Sequence, residues 1–124
     1  MLKDSKAFST FAVDDVSKAK QFYGETLGLD VKEEMDGLAL QLGGGTSVFV
    51  YPKPDHAPAV FTVLNFPVDD VEQAVDALTA AGVAFERYDG FDQDEKGIAR
   101  TDEGPAIAWF TDPAGNILSV LEGM

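Results

Sequence analysis

Residues 11–29 read FAVDDVSKAKQFYGETLGL, and residues 66–74 repeat the opening of that phrase as FPVDDVEQA. Phe11, Val13, Asp14, Asp15, Val16 and Ala19 return as Phe66, Val68, Asp69, Asp70, Val71 and Ala74. An internal repeat constrains architecture more than any local pattern, and two copies point to a duplicated module rather than a solenoid. Each copy has the same local logic. An apolar strand runs into paired aspartates, apolar residues follow at helical spacing, and a glycine ends the helix. Asp15 and Asp70 are the expected N-caps, with Asp14 placing charge beside the positive end of the first helix dipole. Val16, Ala19, Phe22 and Tyr23 form one inward face, and Val71, Ala74, Val75, Leu78 and Ala81 form the other.

Working outward, residues 29–34 read as a strand, Asp36-Gly37 as a hairpin turn and residues 38–42 as the returning strand. Gly43-Gly44-Gly45 makes the next turn, and SVFVY at 47–51 is strongly β-prone. Residues 52–58, PKPDHAP, cannot continue a sheet and read as a linker. The second copy begins with a strand at 59–68. After its helix come a strand at 83–88, a long acidic loop at 89–104 with a strand fragment at 97–100, and strands at 107–111 and 116–122. The expectation is an α+β fold of tandem βαβββ modules, the first over about 5–52 and the second over about 59–122, in one domain spanning 1–124. Neither module can cover its own apolar sheet face, so the two are expected to share a core or cup.

Composition narrows the function. The 124 residues contain no cysteine, which excludes disulfides, thiolate metal sites and cysteine nucleophiles. A formal charge of −13 argues against nucleic acid as a partner and allows long-range attraction of a cationic ligand. The start, MLKDSKAF, lacks the apolar run of a signal peptide, and no segment approaches a membrane span, so a soluble cytoplasmic protein is expected.

The repeated strand–VDD–helix–LGL pattern, closed by WFTDPAGNILSVLE at 109–122, resembles the vicinal oxygen chelate superfamily of glyoxalase I, bleomycin-resistance proteins, fosfomycin-resistance enzymes and extradiol dioxygenases. The resemblance covers nearly the whole chain and implies paired βαβββ units forming a cup-shaped mixed sheet, usually completed by a homodimer, with a ligand in the cup. In DPAGN at 112–116, proline presets φ and glycine supplies positive φ, so this motif marks the fold and not a reaction.

Metal-bearing members of that superfamily place His, Glu or Gln on four strands that converge in the cup. The resemblance maps those places to Phe8, Val63, Ser119 and the neighbourhood of Val50, where neither Phe49 nor Tyr51 would restore a ligand. Phenylalanine and valine cannot ligate a cation, and one serine hydroxyl is a poor ligand alone, so the expectation is no metal cofactor and no catalytic residue. His56, the only histidine, sits in the proline-rich stretch beside Asp55 and does not make a metal site. Asp92, Asp94, Gly97 and Glu103 echo an EF-hand loop, but Lys96 stands where a third ligand belongs. No GxSxG is present.

The resemblance points Phe8, Thr10, Phe61, Val63, Asn65 and Ser119 into the cup, with Phe49, Tyr51, Trp109 and Phe91 as neighbours; residues two apart share a strand face. Two function classes follow. One is a metal-free protein holding an apolar or cationic aromatic small molecule, as in the bleomycin-resistance branch. The other is an enzyme (a lyase, isomerase or dioxygenase) with a non-standard site. An interaction module without a ligand is the blander third.

Overall fold

Both paired-aspartate motifs cap helices. Asp15 is extended, and its carboxylate accepts from the Lys18 backbone N–H at 3.1 Å. Asp70 repeats the geometry with Gln73 N–H at 3.1 Å. The structure, a computed structural model, describes residues 1–123; Met124, the last residue of the predicted 1–124 domain, lies outside them. The described chain divides into two units, Met1–His56 and the stretch from Ala57 onward.

In the first unit, β1 (Ser9–Val13) leads into α1 (Val16–Gln21), and β2 (Asp30–Glu34), β3 (Gly37–Gln41) and β4 (Ser47–Pro52) follow. The sheet order is β1-β4-β3-β2, with β1 parallel to β4 and the other pairs antiparallel. Phe11, Val50 and Leu38 stand in one row across this sheet and are buried. Tyr23 from the helical segment is fully buried and meets Phe11 at a ring distance of 6.0 Å, which ties the helix to that face. The helix does not run straight to Gly28. A π-helical turn, Phe22–Thr26, ends it, with Leu27 N–H donating back to Phe22 O and Gly28 following at φ 75°.

The β2–β3 hairpin turns one residue earlier than the sequence suggested. Met35 and Asp36 occupy the two loop positions with φ of 47° and 65°, while Gly37 already pairs with Glu34. The reason is contact: a Cβ on Gly37 would lie 2.3 Å from Val50 O and 2.9 Å from the Phe49 ring, so the glycine is needed inside the ladder. β4 also reaches one residue into the proline-rich stretch. Pro52 lies beyond the last β3 pair and faces Val13, whose carbonyl accepts from Lys53 N–H.

The second unit contains β5 (Thr62–Pro67), α2 (Val71–Ala80), β6 (Ile107–Thr111) and β7 (Ile117–Leu121). Its sheet order is β5-β7-β6, with β5 parallel and β6 antiparallel to β7. Helix α2 packs on β6 and β7 through buried Val71 and Val75; Ala81, expected inward, is the exposed C-cap. Glu122 also accepts from Val71 N–H at 2.9 Å, satisfying a second orphan donor at the helix start.

The strand expected at 83–88 is reduced to a single bridge, Phe85 to Phe110. The Gln93 side chain takes the ladder's place. Its Oε1 accepts from Tyr88 N–H at 2.8 Å, and its Nε2 donates to the carbonyls of Glu86 and Gly97. The expected fragment at 97–100 is likewise one residue, Ala99, which bridges Gln93 and Ile107. The α+β class holds, with two small mixed sheets and two short α-helices among the described residues.

Candidate ligand-binding site

The turn Asp112-Pro113-Ala114-Gly115-Asn116 fixes the register on which the second unit's site depends. Asp112 is buried, and its carboxylate accepts from Ala114 N–H, Asn116 N–H and Asn116 Nδ2, each at 2.9 Å. Gly115 has φ 85°, and a Cβ there would come within 3.1 Å of Pro58. Held by this turn, β6 and β7 place Trp109 opposite Ser119, and the parallel pairing places Asn65 on the other side of Ser119. Cross-strand partners share a face, so Asn65, Ser119 and Trp109 form one row.

A cavity of about 360 Å³ opens on that face. Trp109 and Ile117 line it from the sheet, Val60, Phe61 and Thr62 from the entry to β5, and Tyr88 and Phe91 from the loop after α2. The Phe91 ring lies 4.8 Å from Trp109 and the Tyr88 ring 5.5 Å, so two rings of that loop contact the indole. Trp109 itself is 8% exposed, whereas Phe61 is 66% and Phe91 52% exposed. Burial pushes the Tyr88 phenol above its ordinary pKa, with nearby Glu86 adding to the shift, and both keep the hydroxyl neutral.

Of the expected residues, the second unit brings Phe61, Phe91 and Trp109 into this cavity and sets Asn65 and Ser119 in Trp109's row. Val63 is different. The β5–β7 register passes from Thr62↔Ile117 to Leu64↔Leu118, so Val63 is the extra residue of a bulge. The rule of two that placed Val63 on Asn65's face fails there, and Thr62 takes the position facing Ile117. Val60, Thr62, Tyr88 and Ile117 were absent from the sequence-based site. Ile117 was within reach of the alternation rule, standing two residues before Ser119.

In the first unit, Thr10 pairs with Phe49, and Ala12 with Tyr51, on the sheet face opposite the Phe11–Val50–Leu38 row. Thr10 and Tyr51 are exposed and Phe49 is half-buried. Phe8 precedes β1 and is 66% exposed.

The positions that would carry metal ligands do not fit a divalent cation. Phe8, Val50 and Val63 offer only carbon, and the fully buried Ser119 hydroxyl donates to Asn65 Oδ1 at 2.6 Å. Among the described residues no three His, Cys, Asp or Glu side chains gather in a ligating group. The EF-hand echo is an ordinary loop anchor: Asp94 accepts from Lys96 N–H, Ile98 N–H and the Arg100 guanidinium. His56 N–H closes a turn on Lys53 O, and its Nε2 is buried without a hydrogen-bond partner.

The sequence profile of the Glyoxalase/Bleomycin resistance protein/Dioxygenase superfamily matches residues 8–120. Among solved structures, TnmS3, an antibiotic binding protein from Streptomyces sp. CB03234, is 28% identical, with 95% of this chain and 96% of that chain covered and a TM-score of 0.63. Lactoylglutathione lyase from Agrobacterium tumefaciens is 23% identical over 94% of this chain and 93% of its own, with a TM-score of 0.66. The fosfomycin resistance protein FosX from Listeria monocytogenes is 12% identical over 95% and 92%, with a TM-score of 0.73. The last two likenesses are of fold alone. No curated protein matches the chain.

Proposed function

The chain belongs to the Glyoxalase/Bleomycin resistance protein/Dioxygenase superfamily, and from that premise we propose that it is a metal-free protein that binds a planar aromatic small molecule against Trp109. The observation that carries this reading is the aromatic clasp. Trp109, Phe91, Tyr88 and Phe61 surround a concavity of about 360 Å³, within the usual size of small-molecule sites. Stacking on these rings contributes attraction beyond area burial, and a cationic ring system would gain a cation–π component. The charge of −13 would raise the local concentration of such a cation.

The remaining expected contacts belong to the same proposal. Phe8, Thr10, Phe49 and Tyr51 on the first unit would supply aromatic rings and two hydroxyls, and Val63, the bulge residue, follows Thr62 of the cavity lining in sequence. The likeness to an antibiotic binding protein supports binding as the activity. A homodimer is part of the reading, in keeping with the superfamily resemblance. So is a cytoplasmic setting, in keeping with a chain free of cysteine; no described helix is long and apolar enough to cross a membrane.

The lone tryptophan makes the test direct, because intrinsic indole fluorescence reports on Trp109 alone. Titration with a panel of planar aromatics, neutral and cationic, is expected to quench it saturably and to raise the melting temperature. Phe91→Ala is expected to weaken binding about tenfold through loss of one stacked ring. A panel without quench or thermal shift would refute the reading. Stoichiometric retention of Fe²⁺, Zn²⁺, Mn²⁺ or Ni²⁺ after dialysis, with activity appearing on loading, would favour the enzyme alternative instead.

A further inference from the structure

Ser119 sits at the centre of the Asn65–Ser119–Trp109 row, fully buried on the middle strand. A serine hydroxyl has one proton, and here it goes to Asn65 Oδ1 at 2.6 Å. That bond fixes the side chain's orientation. With Oδ1 turned to Ser119, the NH₂ group lies on the side of the amide away from that hydroxyl, and the residue is exposed. In the reverse orientation Nδ2 would donate to Ser119 Oγ, and the buried hydroxyl proton would need another acceptor. The face thus carries a fixed donor two strand spacings, roughly 10 Å, from the Trp109 backbone.

We infer that Asn65, oriented by Ser119, is a specificity-determining hydrogen-bond donor that selects aromatic ligands carrying a carbonyl-type acceptor oxygen at the edge remote from Trp109. The inference rests on the ligand-binding reading above and adds the polar half of the ligand's chemistry. A carboxamide donor beside a hydrophobic clasp gives an acceptor oxygen on the ligand a partner that a hydrocarbon edge does not use. Ser119 acts through Asn65 as a positioning residue.

The test uses 2-acetylnaphthalene and 2-ethylnaphthalene, which match in size and differ by a carbonyl in place of a methylene. Equilibrium dialysis gives the affinity of each for the full chain, and the readout is their ratio, which cancels general effects of a substitution on the pocket. The ratio, acetyl over ethyl, is expected to fall about fivefold in Asn65→Ala, the value of one neutral hydrogen bond. In Asn65→Asp, which keeps the shape but offers no donor, it is expected to fall at least as far. Ser119→Ala releases the amide and is expected to lower the ratio about twofold. An unchanged ratio in both Asn65 variants, with both compounds still bound, would overturn this inference and leave the aromatic site standing. A normal ratio in Ser119→Ala would overturn the positioning role. Binding of neither compound to the unaltered protein would overturn this inference, while the wider panel decides the aromatic site.

Discussion

Asp112 shows how one side chain can be mistaken for chemistry. It is a buried acid in a conspicuous motif, yet its oxygens are occupied by Ala114, Asn116 and the Asn116 amide, so it holds a hairpin. Asp112→Ala is expected to cost about 3 kcal/mol in urea denaturation, because several buried donors lose their acceptor together. Gly37 carries a comparable constraint of shape. Gly37→Ala would drive a methyl group into Val50 O and Phe49 and is expected to lower stability by about 2 kcal/mol or more in the same assay. Both residues are legible in the sequence as turn markers. The Gly37 reading was nonetheless off by one position, since only the neighbouring strand reveals why a side chain is excluded.

Among the elements, the loop after α2 is where local reading and structure part. Alternation at 83–88 suggests a strand, but a side chain five to seven residues downstream intercepts its backbone groups, and no periodicity encodes that. Gln93→Ala is expected to accelerate hydrogen exchange at Tyr88 N–H and to loosen the Tyr88–Trp109 contact, read as a red shift of Trp109 emission. The same loop has a pH signature. Burial alone would raise the Asp94 pKa, but the Ile98 and Lys96 amides and Arg100 outweigh it and bring the value below the ordinary 3.8. A carboxyl with a lowered folded pKa contributes stability above its unfolded pKa and loses it as pH falls through the folded value. The stability advantage of the unaltered protein over Asp94→Asn is therefore expected at neutral pH and should shrink as pH drops below about 4. The caps and most strand positions were readable because their causes lie within a few residues. The π-helical turn, the Val63 bulge and the Tyr88 contact were not, since each is imposed by packing or by a distant partner.

For the molecule as a whole, charge is the dominant unspent term. Thirteen excess negative charges on 124 residues repel one another in the folded state. Raising NaCl from about 10 to about 300 mM shortens the screening length to a few ångströms and is expected to raise the melting temperature by several degrees. The same salt should slow association of a cationic aromatic ligand while leaving a neutral one nearly unaffected, which separates steering from stacking in a stopped-flow experiment. The bulge at Val63 bears on how such a protein can change over generations. Because Thr62 and Leu64 already face successive residues of β7, Val63 can be lost without turning the strand over. The stretch at 60–62 can therefore vary in length and composition while Asn65 and Ser119 keep their places. A library randomised at 60–63 should therefore retain a high proportion of folded members.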